Sequence, residues 1–159
     1  MRTLGFMLAL VVLMASACKV HKATPGAGQI NADASLPAGF EFSKMGLKVV
    51  ASTVNKQLGT MSTLYGNDSA KATAQAGNGV CRPGTLFALV TWKQQDDKRW
   101  IGGRIPGNLV SVELLKADKD KQTGVYSRFL GTNLAADPDT TGQRARIGFI
   151  LSLKPSIMF

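Results

Sequence analysis

Residues 85–92 read TLFALVTW, and the conformation of this run decides the fold. It is apolar almost throughout, of strand length, and rich in β-branched and aromatic side chains, which suit a pleated surface more than a helix. Alternation is missing, so both sides of the strand are expected to be covered. Immediately before it, Arg82-Pro83-Gly84-Thr85 puts Pro and Gly at the two central positions of a type II turn. The run therefore predicts a central strand entered from a tight turn.

Working outward, GLKVVASTV (46–54) and GTMSTLYG (59–66) flank the short polar segment NKQL and read as a hairpin. A short helix is predicted next. Asn67 or Asp68 can accept the free amides of its first turn, Ala70, Ala72, Ala74 and Ala76 favour the helical state, and Gly77 is a natural stop. On the other side, LVSVELL (109–115) alternates, with Val110, Val112 and Leu114 expected on one face and Ser111 and Glu113 on the other. GVYSRFL (124–130) alternates behind the turn-forming ADKDKQTG. A final helix is expected in DPDTTGQRARIGFILSLKP, capped by Asp139 or a Thr, with Ile147, Ile150 and Leu151 on one face and Pro155 ending it. The expected fold class is α+β: a mostly antiparallel sheet with a short helix after the first hairpin and a C-terminal helix packed on the sheet.

Sixteen residues separate Trp92 from Leu109, more than a hairpin needs and of a length that often lids or binds something. Gln94, Gln95, Asp96, Asp97, Lys98 and Arg99 crowd this stretch, but adjacent carboxylates flanked by cations stay ionised, which favours a solvated, salt-bridged loop over an acid/base pair. Trp92 and Trp100 are expected to anchor the loop on the sheet. Together with Tyr65, Phe87 and Tyr126 they are the ligand-pocket candidates, against the plainer alternative that such residues, with Met61, Phe129 and Phe149, fill the core.

The N-terminus carries a different message. Met1-Arg2-Thr3 and the apolar Leu4–Met14 form an export signal too short to persist as a spanning helix. Ala15-Ser16-Ala17 ahead of Cys18 suits either ordinary signal peptidase or lipidation of Cys18, which would anchor the chain stably. The domain boundaries expected are a signal peptide at 1–17, a Gly/Ala/Pro/Asn-rich tether at 18–36 that lacks large apolar residues, and a folded domain at 37–159.

The whole chain carries 19 Lys and Arg against 10 Asp and Glu, a formal +9. An exported location makes nucleic acid an unsuitable partner for that charge and turns attention to a bacterial envelope, periplasmic or membrane-anchored. The solubility reading of the charge also stands, because the basic residues are spread along the chain.

Several chemistries are excluded by residue count. Cys18 and Cys81 are the only cysteines and no CxxC occurs, so structural zinc and covalent c-type haem lack their signatures. The one histidine, His21, lies in the tether, which removes histidine-based triads and metal sites from the domain. Asp118/Asp120 and Asp137/Asp139 lack the rest of a calcium loop and read as turn residues. No metal site is expected, and no catalytic residue can be assigned.

In chain order, GTMSTLYGNDSAKATA (59–74), GTLFALVTWKQQDDKRWIGGRIPG (84–107), SVELL (111–115) and ARIGFILSLKPSIM (145–158) resemble the cytochrome P460 family of exported bacterial proteins. The likeness spans roughly residues 47–159. It implies a small β-rich, often dimeric domain whose best-known members hold haem and oxidise hydroxylamine or, in related proteins, bind nitric oxide. Those members attach haem through CxxCH and cross-link it to a lysine. The present sequence has no CxxCH, and Lys71 lies only in the neighbourhood of the cross-linking position. The resemblance thus leaves the cofactor open, with haem held non-covalently as one reading; a redox partner is likewise unassigned. A non-catalytic envelope module that binds a ligand or a partner is the other reading.

Overall fold

The computed structural model describes residues 31–37, 40–42, 44–117 and 124–156. The stretch read as an export signal, Cys18, His21, Asp118 and Asp120 lie outside the described residues. Asn31–Phe159 forms one compact unit.

The central run becomes β3 (Leu86–Asp96) in a sheet of six strands ordered by sequence, with β1 (Lys48–Asn55), β2 (Thr60–Gly66), β4 (Arg104–Ala117), β5 (Gly124–Leu130) and β6 (Ala135–Ala136). Every neighbouring pair is antiparallel. α1 (Asp68–Ala76) follows the first hairpin and α2 (Gln143–Ser152) closes the domain. The α+β architecture is the one expected.

Local signals placed α1 correctly. Asn67 Oδ1 accepts from Ala70 N at 2.9 Å, and Gly77 ends the helix in the left-handed region at φ 61°. The turn before β3 has Gly84 at φ 75° and a bond from Thr85 N to Arg82 O of 3.1 Å, as a type II turn requires. α1 sits close against β2 because Gly66 has no side chain: a Cβ there would lie 2.7 Å from the Ala70 Cβ.

α2 departs from expectation at its start. Neither Asp139 nor a threonine caps it; Gly142 holds that position without a side-chain bond, while Asp139 Oδ1 instead accepts from Thr141 N at 2.7 Å in the preceding turn. Its inward face is as expected, with Ile150 buried and Ile147 and Leu151 packed beside it. The helix stops before Pro155, and Ser156 N then donates to Val50 O at 2.8 Å, tying the chain's end to β1.

Strand alternation divides the interior into two layers. On the helix-covered face Val50, Ala51, Leu64, Phe87, Leu89, Leu115 and Ala117 pack with Ala70, Ala74, Cys81 and Ile150. On the opposite face Ala88, Val90, Trp92, Leu109 and Val112 are covered by Phe42 and Leu47, with Ala34, Leu36 and Phe40 beside them. Residues 31–36, the end of the stretch read as a tether, therefore lie on the sheet, with a 3-10 turn at Ala32–Ala34 against β4.

One expectation about β3 and β4 is corrected. The sixteen residues after Trp92 are not a loop: pairing continues through Gln94↔Pro106, Gln95↔Ile105 and Asp96↔Arg104, leaving only residues 97–103 as the connection. The polar side chains there are compatible with strand because this end of the hairpin is wet; Gln94 Nε2 donates to Thr60 O (2.8 Å) and Arg104 pairs with Asp96 (2.9 Å). Ser111 and Glu113 share one face, as expected, and both are buried, with Arg146 of α2 reaching Glu113 at 2.7 Å.

Candidate functional site

The five aromatic candidates do not converge. Phe87 and Tyr126 lie on the helix-covered face, Phe87 fully buried and Tyr126 at the rim of its core. Tyr65 and Trp92 belong to the opposite face, where the Tyr65 ring tilts against Phe42 with centroids 4.9 Å apart and Trp92 Nε1 donates to Ala34 O at 2.9 Å. Trp100 is 73% exposed at the tip of the β3–β4 hairpin and anchors nothing on the sheet. Burial pushes the Tyr65 phenol and the Cys81 thiol up from their ordinary pKa values.

The structure assembles two other constellations. The first is polar and lies beneath α2. Glu113, 1% exposed, receives Arg146 through both oxygens, Nε to Oε2 at 2.9 Å and Nη2 to Oε1 at 2.7 Å. The Tyr126 hydroxyl donates to Oε2 at 2.7 Å. Burial first, and then the bond to Glu113, raise the Tyr126 pKa far above that of a free phenol. The paired carboxylate in turn raises that of Arg146. Next to this group Arg128 meets Asp137 at 3.4 Å, and its Nε is a buried donor with no protein partner. Both Glu113 oxygens are engaged and the carboxylate is paired with a guanidinium, so it works as a counter-charge that seats α2. Sequence reading missed it because its partners lie 13 and 33 residues away on separate elements.

The second constellation is a groove on the opposite face, beyond the part covered by the N-terminal segment. Its floor is two register rows, Leu86–Lys116–Val125 and Leu114–Ser127, and Met45 forms a wall. Among the described residues Asn67, Gly84 and Ala117 complete the lining, around a volume of about 840 Å³. Such a volume accommodates a small organic molecule. Val125, 65% exposed, and Met45 present apolar surface to the groove. The Asn67 amide is committed elsewhere, accepting from Ala70 N and Leu86 N and donating to Gly84 O. Among the described residues Lys116 is the one charged group in the lining.

An iron-bound haem would need an axial donor from imidazole, thiolate, phenolate or a thioether paired with one of these. The groove presents only the Met45 thioether and the Lys116 amine among its described residues. Cys81 and Tyr126 face the other side of the sheet, and Tyr65 packs under Phe42. No group of three or more His, Cys, Asp or Glu that could hold a metal occurs among the described residues. This donor set does not fit a haem ligated in those ways.

The family model described as Cytochrome P460 matches residues 39–144, which includes β1–β6, α1 and all but one of the groove-lining and Glu113-cluster side chains, Arg146 lying two residues beyond. No curated protein matches the chain.

Proposed function

The chain belongs to the cytochrome P460 family, a haem-binding, cytochrome-like group, and from that premise we propose that it is an exported, lipid-anchored member that takes a small amphipathic organic anion non-covalently. The observation that carries the reading is the groove itself. Leu86, Leu114, Val125 and Met45 offer apolar surface to a ligand's body, while Lys116 on the floor supplies a cation for an acidic group. The Lys ammonium is a point charge on a flexible stem, suited to a carboxylate or sulfonate whose exact placement varies. Export and anchoring rest on the signal-like N-terminus and Cys18.

The test is a titration of the full chain with protoporphyrin IX and with haemin, which share a flat apolar body and two carboxylates and differ by the iron. Equal, saturable binding of both, weakened about tenfold by Lys116→Glu, as expected for loss of a charged contact, supports the groove. Absence of saturable binding for either overturns it. A second reading, a redox haem protein, draws on the family membership and on the Met45 thioether. It wins if haemin alone binds, with a ligated-iron spectrum that Met45→Ala removes.

A further inference from the structure

One end of the sheet carries apolar side chains that none of the described residues covers. Residues 97–103 form a hydrogen-bonded loop: Asp97 N donates to Gly103 O and Gly103 N to Trp100 O, both at 2.9 Å, and Arg99 N donates to Asp97 Oδ1 at 2.8 Å. Its backbone is thus tied while Trp100 is 73% exposed and Ile101 fully so. Beside it the β1–β2 turn is held by Gln94 N to Gly59 O at 2.8 Å, and it presents Leu58, 66% exposed, and Val54. The same end carries Lys56, Lys98, Arg99 and Arg104 against Asp96 and Asp97, and Asp96 is paired with Arg104. A few large apolar side chains at the ends of two turns, among an excess of cations, fall short of the area that a stable protein interface needs. They match the boundary between anionic headgroups and acyl chains, where tryptophan is favoured.

The chain's entry points the same way. Asn31 Nδ2 donates to Pro106 O, in the β4 segment paired with Gln94, so the described chain begins at this end of the sheet. Cys18 precedes Asn31 by thirteen residues, a reach of at most about 45 Å. We propose that the β3–β4 tip and the β1–β2 turn form a membrane-docking end that seats Trp100, Ile101 and Leu58 in the interface of an anionic bilayer. The lipid on Cys18 would keep the domain near the surface, and the tip would set which end faces it. This extends the proposed anchoring and owes nothing to the groove.

The experiment uses the full chain on vesicles of phosphatidylglycerol or phosphatidylcholine with brominated acyl chains, reading tryptophan emission. Trp92 is buried under the N-terminal segment and serves as the unquenched reference; Trp100→Phe identifies the signal from the tip. The expected result is bromine quenching of Trp100 and its protection from aqueous acrylamide, stronger on phosphatidylglycerol. Each charge removed by Lys56→Gln or Lys98→Gln should lower docking roughly fivefold. Trp100 left open to acrylamide on both vesicle types overturns the proposal. So does protection without bromine quenching that grows with protein concentration, which would mark a second copy of the chain as the occupant. Cys18→Ser separates the two anchors. If the lipid reading alone fails, this variant leaves the amount of bound protein unchanged while Trp100 is still quenched. If docking alone fails, the variant lowers bound protein and Trp100 stays unquenched throughout.

Discussion

The two faces of the sheet begin from the same requirement, since β3 is apolar on both sides, yet they are covered by different means. The helix-covered face is closed by regular elements brought close through small residues, Gly66 against Ala70, and it spans its polar gap with the buried Glu113 held by Arg146 and Tyr126. The opposite face is covered by irregular chain, whose aromatic rings Phe40 and Phe42 stack edge-on over the sheet and leave a groove where that covering stops. A regular helix must meet the sheet along its whole length, so a charge beneath it has to be paired. An irregular segment can end where it likes, and the uncovered remainder is free to bind. Scaffold and candidate site are thereby separated onto opposite sides of one layer.

The sharpest break of this comparison is Arg146→Ala. It leaves the Glu113 carboxylate buried beside a lone phenol, and breaking a buried pair from one side costs about 3–5 kcal/mol. The Arg146 side chain is 39% exposed, so water partly replaces it and the expected loss is near the lower figure of about 3 kcal/mol. Chemical denaturation measures it. Replacing Glu113 and Arg146 together with leucine should recover most of that loss, because no unpaired charge remains. A cost below about 1 kcal/mol for Arg146→Ala would mean that apolar packing alone seats α2.

On the opposite face the corresponding change is Trp92→Phe. The ring position is kept and one neutral hydrogen bond, to Ala34 O, is lost, for an expected cost of about 1 kcal/mol. Its effect should be local. Hydrogen exchange is expected to quicken in residues 31–36 while amides of α2 keep their protection, since irregular cover can loosen without opening the rest. Loosening of α2 in this variant would show that the faces are coupled and the separation drawn above is false.

What the sequence disclosed follows the same division between local and distant causes. The first hairpin, α1 and the turn before β3 could be read because their signals are contained within a few residues: Asn67 and Gly77 at the helix ends, Pro83-Gly84 in the turn. Alternation places Glu113 on one side of β4 and does not say what lies over that side; α2 arrives 33 residues later with the arginine. Residues 93–96 read as loop from their polarity, yet a hairpin already in register continues pairing wherever its side chains can stay wet. Trp100 was assigned an anchoring role on hydrophobicity alone, which says that a surface seeks cover and not that the same domain supplies it. The groove was invisible for a related reason. Its lining comes from five separate places in the chain, and only the register of β3, β4 and β5 aligns them.

The finest comparison of the faces uses the protein's two tyrosines, one on each. Burial raises both phenol pKa values, and Tyr126 alone also donates to a carboxylate, whose negative charge opposes a second one at 2.7 Å. In the folded protein neither should ionise at the ordinary value near 10, and Tyr65 should titrate before Tyr126, as followed by tyrosinate absorbance with Tyr65→Phe and Tyr126→Phe to assign the steps. The sign for stability follows from linkage. A phenol whose pKa rises on folding contributes its full stabilisation below the unfolded value near 10 and loses it as the pH climbs through the folded value. Stability at neutral pH is thus untouched by these titrations, and its decline above pH 10 should be shallower in Tyr126→Phe than in the unaltered chain. If Tyr126 ionises first, the carboxylate beneath α2 is not the counter-charge described, and the helix-covered face would be held in the manner of its opposite, by packing alone.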